Sequence, residues 1–121
     1  MADSIAVQKL LMDGKAEARQ KGSHEVATSI TRYFREIPPP ESYSKAAIQI
    51  ELIEKQLLHN VSVNPRKGGI NTLRAIVGVI PYSEEHGSEV TRTLCNVTFP
   101  LVRDQDATIR IMAMETCHQI V

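Results

Sequence analysis

Aliphatic side chains recur every three or four residues along most of the chain, and strictly alternating apolar and polar runs are scarce. This spacing is the period of an α-helix that buries one face, so the pattern predicts an all-helical protein. Short polar or proline-containing turns divide the pattern into six segments. The four clearest stripes are Ala46, Ile50, Ile53 and Leu57; Gly69, Leu73, Ile76 and Ile80; Val90, Leu94, Val97 and Leu101; and Ile109, Ala113, Thr116 or Cys117, and Ile120.

Prolines, glycines and capping residues predict where these helices begin and end. Pro38-Pro39-Pro40 ends the second helix, which starts near Lys15, and Gly22-Ser23 predicts a bend or break inside it. The fourth helix is expected to carry Pro65 at its first position and to end before Pro81. The predicted N-caps are Asp3 or Ser4 for the first helix, Ser42 or Ser44 for the third, Asn64 for the fourth and Asp106 for the last.

Consecutive helices joined by short turns should pack as antiparallel hairpins, over approximately residues 3–37, 42–81 and 87–121. An offset of 41 residues places Pro65 on Asp106, and one of about 43 places Ile30 on Leu73. This period lies at the lower end of the range of HEAT and armadillo repeats, so we predict an α-solenoid of about three such hairpins. Because the sequence ends on the apolar pair Ile120-Val121, we expect a further repeat to cover it and the chain to be a fragment of a longer solenoid.

Charge and hydropathy narrow the function classes. Fourteen basic and fourteen acidic residues give a formal net charge of zero. A neutral chain has no overall field that attracts nucleic acid or an anionic bilayer, so nucleic-acid binding is not expected. No apolar run approaches the roughly 20 residues of a membrane-spanning helix, and no secretory signal is visible. We therefore expect a cytoplasmic protein that meets membranes only through its partners.

The sequence contains no recognisable catalytic or cofactor-binding motif. The stretch VNPRKGGI, residues 63–70, places two glycines beside two cations, yet it lacks the GxxxxGK[ST] spacing of a phosphate-binding loop. The four histidines show no paired metal-ligand spacing. Cys95 and Cys117 fall inside helical apolar patterns and are interpreted as reduced core thiols, with a zinc site that adds His118 as the alternative. We expect no enzymatic activity, no cofactor and no metal.

The same stretch has a packing and a binding interpretation. Gly68 and Gly69 fall in the first turns of a helix, where each costs about 1 kcal/mol relative to alanine, so close packing on a neighbouring helix should offset that cost. Arg66 and Lys67, near a helix N-terminus, are the candidate partner-binding residues for an acidic protein or a phosphate. A second basic cluster is interpreted as a solvated face, with an acidic partner as the alternative; it comprises Lys15, Arg19, Lys21, Arg32 and Arg35.

The segment from residue 99 to residue 121 resembles the core of a HEAT repeat. Pro100 lies near the end of one helix, Asp104 and Asp106 form an acidic turn, and Arg110 lies one turn into the next helix. We expect Arg110 to pair with an aspartate of its own turn or of a neighbouring turn. A row of such pairs would hold successive repeats in register, which is a structural and not a catalytic role.

Taken in order, these motifs resemble a narrower family. A charged early helix, the run Arg66 to Gly69 before an apolar helix, and the turn from Asp104 to Asp106 followed by Arg110 are similar to the N-terminal HEAT-repeat region of the vacuole-morphology scaffolds. That family organises the phosphatidylinositol 3-phosphate 5-kinase (PIKfyve) complex. The resemblance covers nearly the whole chain but only the first part of the family's longer solenoid.

The resemblance implies a non-enzymatic scaffold. It would hold the lipid kinase and the opposing phosphoinositide phosphatase together at endosomal or vacuolar membranes, for synthesis and turnover of phosphatidylinositol 3,5-bisphosphate. The alternative is a trafficking adaptor, a helical superhelix that binds cargo peptides or phosphoinositides.

Overall fold

The computed structural model describes residues 4–81 and 83–120, and every regular element within these ranges is helical. The prediction of an all-helical fold is therefore confirmed for the described residues. A π-helical turn, Glu54–Leu58, continues the third α-helix, and a 3-10 turn, Phe99–Arg103, continues the fifth. The six α-helices of these ranges are α1 (Ser4–Leu11), α2 (Ala16–Glu36), α3 (Glu41–Ile53), α4 (Val63–Val77), α5 (Ser88–Thr98) and α6 (Ala107–Ile120).

From α2 onwards, each helix packs on the helix two positions further along the chain. The contact between α2 and α4 is the most extensive, and α4 also packs on α6, so the even-numbered helices form one row. Beside this row α3 packs on α5, while α1 packs against α2 and α4. Within the described ranges α2 and α6 share no extensive contact, so each hairpin contacts mainly its neighbours in sequence.

One aliphatic core runs through all three hairpins. The predicted stripes of α3 and α5 are buried at every position, and so is that of α6 when Thr116 is taken as its third member. Ile80, the last residue of the α4 stripe, lies beyond the end of that helix and is only partly buried. The hydroxyl of Tyr43 donates to the carbonyl oxygen of Pro81 at 2.9 Å and so joins the start of α3 to the chain that leaves α4.

Of the bend or break predicted at Gly22-Ser23, the break is wrong, because α2 is continuous from Ala16 to Glu36. Gly22 and Ser23 are both buried within it. The hydroxyl of Ser23 lies 3.0 Å from the carbonyl oxygen of Arg19 and 3.1 Å from the hydroxyl of Thr72 on α4. Tertiary packing therefore compensates for the low helix propensity of both residues.

The predicted serine cap of the third helix is also wrong. The helix α3 begins at Glu41, with Pro40 in the capping position and no side-chain cap. Ser42 is fully buried, and its hydroxyl has no hydrogen-bond partner in the part of the chain that the structure describes. Ser44 lies inside the first turn, where its hydroxyl reaches the carbonyl oxygen of Pro40 at 3.4 Å.

The fourth helix begins two residues earlier than predicted. Ser62 occupies the capping position without a side-chain cap, so Asn64 and Pro65 are the second and third helical residues. Proline is tolerated there because the first four backbone N–H groups of a helix have no partner within the helix. The run from Arg66 to Gly69 therefore fills the fourth to seventh positions of α4 and does not open it.

The predicted cap of the last helix is present. The carboxylate of Asp106 accepts the backbone N–H of Ile109 through Oδ1 at 3.1 Å. Asp3, one of the two caps proposed for the first helix, lies outside the described residues, as does Val121. Ser4, the other, is the first residue of α1.

Candidate functional site

The same turn precedes each of the three even-numbered helices. Asp13, Asn60 and Asp104 lie three residues before α2, α4 and α6, respectively. The side-chain oxygen of each accepts the backbone N–H two residues further on, at 2.8, 2.9 and 2.9 Å. This bond closes an Asx turn, which shapes the chain as it enters the helix.

An arginine six residues after each of these turn residues holds the turn from inside the helix. Arg19, Arg66 and Arg110 are each the fourth residue of their helix. The three hairpins thus share a motif of Asp or Asn, five residues, and Arg. The bonds run from Arg19 Nη1 to Asp13 O at 2.9 Å, from Arg66 Nη1 to Asn60 O at 3.1 Å and Val61 O at 2.9 Å, and from Arg110 Nη1 to Asp104 O at 2.8 Å and Gln105 O at 3.0 Å.

This motif gives a longer repeat period than the apolar pattern predicted. Arg19 and Arg66 are 47 residues apart, and Arg66 and Arg110 are 44 apart, against the predicted offsets of about 43 and 41. In each case the period of the motif and the period of the apolar pattern differ by about one helical turn. A shift of one turn places apolar residues on the same face of the helix. Apolar stripes therefore cannot distinguish the two registers. The spacing from Asp or Asn to Arg, which also occurs at Asp13 and Asn60, is the sequence signal that favours the longer period.

Arg66 also joins its hairpin to the next one. Its Nε donates to Oδ2 of Asp104 at 2.9 Å and its Nη2 donates to Oδ1 at 3.2 Å. The two side chains are only 14% and 8% exposed. The carboxylate of the acidic turn is thus held by the arginine of the preceding hairpin. The predicted pairing of Arg110 with an aspartate side chain is wrong within the described ranges, because Arg110 binds the same turn through backbone carbonyl oxygens.

Opposing effects set the pKa of the carboxyl group of Asp104. Burial raises the pKa of its carboxyl group, because removal from water disfavours the charged form. The hydrogen bonds from Arg66 and from the N–H of Asp106, with the positive charges of Arg66 and Arg110, act in the other direction. Together they hold the pKa of Asp104 below its ordinary value of 3.8.

The equivalent pair between the first and second hairpins lacks its carboxylate. Asn60 occupies in the second hairpin the position that Asp104 has in the third. Arg19 is only 7% exposed, and its Nε is buried without a hydrogen-bond partner among residues 4–81 and 83–120. The solvated face predicted for Lys15 and Arg19 is therefore wrong at Arg19, although Lys15 is exposed.

Three glycines allow the helices to approach closely. A Cβ atom on Gly68 would overlap the carbonyl oxygen of Leu11, which ends α1. A Cβ on Gly69 would lie 2.5 Å from Cδ2 of Leu58, and one on Gly22 would lie 2.8 Å from Cδ2 of Leu11. The two glycines of the VNPRKGGI stretch therefore have a packing role in which α4 touches both α1 and the turn after α3.

The two candidate partner-binding residues differ in their availability. All three guanidinium nitrogens of Arg66 donate to groups of the chain itself. Lys67 is half-buried, and no described residue offers a hydrogen bond or ion pair to its ammonium group. Of the two cations, only Lys67 has a charged group without a partner among the described residues.

The cysteines are free thiols on adjacent helices, and both are half-buried instead of lying fully in the core. Burial, with a smaller effect from Cys95, raises the pKa of the Cys117 thiol. A group of three His, Cys, Asp or Glu side chains that could hold a metal ion is not found anywhere in residues 4–81 and 83–120. The alternative zinc site with His118 therefore has no ligand set there.

An open cleft of about 660 Å³ lies where the end of α4 meets α5 and the end of α6. Apolar side chains such as Val77, Leu94 and Ile120 line it, with Glu84 and Arg92 also lining it.

None of the described helices combines the length and the apolar character needed to cross a bilayer.

No protein-family model, curated protein or solved structure matches the chain. The similarity to the vacuole-morphology scaffolds therefore depends on the sequence motifs alone.

Proposed function

We propose that this chain is a non-enzymatic, protein-binding scaffold built as a HEAT-like α-solenoid of three hairpins. The observation that carries the proposal is the motif repeated at Arg19, Arg66 and Arg110, with the same turn and the same arginine-to-carbonyl bond in each hairpin. Contacts mainly between neighbouring hairpins also support it. Stacked equivalent helices offer an extended surface, which suits binding to a large partner.

The partners that we propose are a phosphoinositide kinase and the opposing phosphatase. The scaffold would work in the cytoplasm, at the surface of endosomes or vacuoles, and would support turnover of phosphatidylinositol 3,5-bisphosphate. The motif residues Arg66 and Asp104 support this proposal only through the resemblance, since they bind each other within the fold. Within the run from Arg66 to Gly69, Lys67 is the residue that we assign to partner contact.

Affinity capture of the tagged protein from cells tests this proposal. We expect a phosphatidylinositol 3-phosphate 5-kinase and a phosphoinositide phosphatase to be enriched with the wild-type chain. Lys67→Glu should lower the recovery of the kinase without changing the melting temperature. Lys9→Glu reverses the charge of an exposed lysine on α1 and is the matched control. Unchanged recovery with Lys67→Glu removes Lys67 from the interface, and absence of both enzymes contradicts the proposed complex.

The trafficking adaptor is the second candidate, and the unengaged ammonium group of Lys67 is the observation that favours it. An adaptor that binds phosphoinositides would bind vesicles without help from other proteins. Flotation of the purified chain with vesicles that contain phosphatidylinositol 3-phosphate, at low salt, distinguishes the two. Binding that is lost in Lys67→Glu and absent with phosphatidylcholine vesicles would favour the adaptor over the scaffold.

A further inference from the structure

The repeated motif leaves half of an arginine–aspartate pair unfilled at each end of the described fold. In the middle of the fold, Nε and Nη2 of Arg66 bind the carboxylate of Asp104. Arg110 donates only through Nη1, and its Nε and Nη2 have no acceptor within the described ranges. The carboxylate of Asp13 accepts the N–H of Lys15 and meets no arginine among the same residues.

The two unfilled groups belong to the first and the last hairpin of the row. Asp13 is the equivalent of Asp104, whose carboxylate binds an arginine of the preceding hairpin. Arg110 is the equivalent of Arg66, whose Nε and Nη2 bind an aspartate of the following hairpin. The carboxylate of Asp13 is exposed at the N-terminal end of the row, and the half-buried guanidinium of Arg110 lies at the C-terminal end.

Apolar side chains accompany both unfilled groups. Met114 occupies in α6 the position that Ile70 has in α4, 44 residues earlier. Ile70 is fully buried, whereas Met114 is 54% exposed. Ile111, the residue after the arginine, is 53% exposed, and Met12, the residue before the aspartate, is 38% exposed. The C-terminal end therefore offers an apolar surface beside Arg110, and the N-terminal end offers the partly exposed side chain of Met12 beside Asp13.

We propose that this chain self-associates head to tail, with Arg110 of one copy binding Asp13 of the next copy as Arg66 binds Asp104 within one copy. The two contacting surfaces differ, so the interface is heterologous, and its repetition gives an open row of copies instead of a closed dimer. Charge selects this arrangement, because a contact between two identical ends would bring like charges together.

Sedimentation velocity of the purified chain, from micromolar to near-millimolar concentration, tests the proposal. We expect the average mass of the wild type to rise with concentration and to fall when salt is added. Asp13→Asn removes the charge and keeps the turn, as Asn60 does in the second hairpin, and should raise the dissociation constant about tenfold or more. Met114→Lys alters the other end without touching the bonds of Arg110, and should have a comparable effect.

A charge exchange provides the second test. Asp13→Arg and Arg110→Asp should each be monomeric alone, since each places like charges at the junction. Their equimolar mixture should associate, because alternating copies pair opposite charges at every junction. Thermal melting identifies a variant that does not fold, and if Arg110→Asp unfolds, Asp13→Asn and Met114→Lys decide the matter. A wild type that stays monomeric, an association unchanged by Asp13→Asn, or a folded mixture that associates no better than its components overturns the proposal.

Discussion

Arg66 and Asp104 form a two-bond ion pair, with Nε to Oδ2 at 2.9 Å and Nη2 to Oδ1 at 3.2 Å. The same carboxylate accepts the N–H of Asp106, and the same guanidinium donates to the carbonyl oxygens of Asn60 and Val61. One pair of side chains thus fixes two turns and joins two hairpins, so its loss should destabilise both hairpins.

Removal of either partner should lower the free energy of unfolding by about 3 kcal/mol, because the remaining group is left buried and unpaired. We expect Arg66→Gln and Asp104→Asn to be non-additive, with a coupling energy of about 1–3 kcal/mol. Urea denaturation of both single variants and the double variant measures it. The asparagine is chosen because Asn60 closes the same turn in the second hairpin.

The chain supplies a matched control for this cycle in the exposed pair of Arg74 and Glu115. Their closest atoms, Nη1 and Oε2, are 3.3 Å apart, and the side chains are 46% and 49% exposed. An exposed pair is screened by water, so the coupling between Arg74→Gln and Glu115→Gln should stay below about 1 kcal/mol. Equal couplings in the two cycles would contradict the importance that we assign to the buried pair.

The lowered pKa of Asp104 makes this contribution depend on pH. The folded-state pKa lies below the ordinary value of 3.8, so the unfolded chain binds the proton more readily. The contribution to stability is therefore full above that ordinary value and is lost as the pH falls through the folded-state pKa. We expect the difference in unfolding free energy between the wild type and Asp104→Asn to shrink as the pH falls from about 5 to about 2, as followed by urea denaturation.

Arg66→Gln tests the cause of this pH dependence, because it removes the hydrogen bond that acts most strongly against the effect of burial. Its unfolding free energy should fall less steeply with decreasing pH than that of the wild type. A stability difference between the wild type and Asp104→Asn that stays constant over the whole range would refute the prediction.

Asn60→Asp should stabilise the protein by supplying the carboxylate that the first pair lacks. The Nε of Arg19 is buried and has no partner among the described residues, so a charged acceptor there should contribute about 1 kcal/mol. Asn64→Asp is the control, since it adds a charge to the first turn of the same helix and should contribute only about 0.5 kcal/mol through the helix dipole. A gain from Asn60→Asp that persists in an Arg19→Gln background would show that the pair does not form.

Gly68→Ala should destabilise the protein by about 2 kcal/mol, because the added methyl group meets the backbone of Leu11, which cannot move without shifting α1. This loss outweighs the gain of about 1 kcal/mol in helix propensity. Gly78→Ala is the control, since its Cβ would make only an ordinary contact of 3.5 Å with the carbonyl oxygen of Ala75. We expect it to be neutral or stabilising by about 0.5 kcal/mol, with both changes measured by urea denaturation. Equal effects at the two positions would contradict the close approach of α1.

The adjacent residues Arg66 and Lys67 show that a local sequence pattern can predict where residues lie without predicting what they contact. Arg66 and Lys67 are adjacent cations near the start of a helix both in the prediction from sequence and in the structure. Whether each is available depends on what packs beside it, and Asp104, 38 residues away in sequence, occupies the guanidinium of Arg66. The role of Lys67 in partner binding stays a prediction.

Local chemistry by itself determined that this protein is helical, which faces of its helices are buried, and where several helices end. Residues spaced like Val90, Leu94, Val97 and Leu101 are buried together when the segment forms a helix. Asp106 caps its helix by accepting a backbone N–H only three residues away. Tertiary structure alone decided the continuity of α2 through Gly22 and Ser23, and the partner of Arg66. The physical reason is that both outcomes depend on contacts between residues far apart in sequence, Ser23 with Thr72 and Arg66 with Asp104.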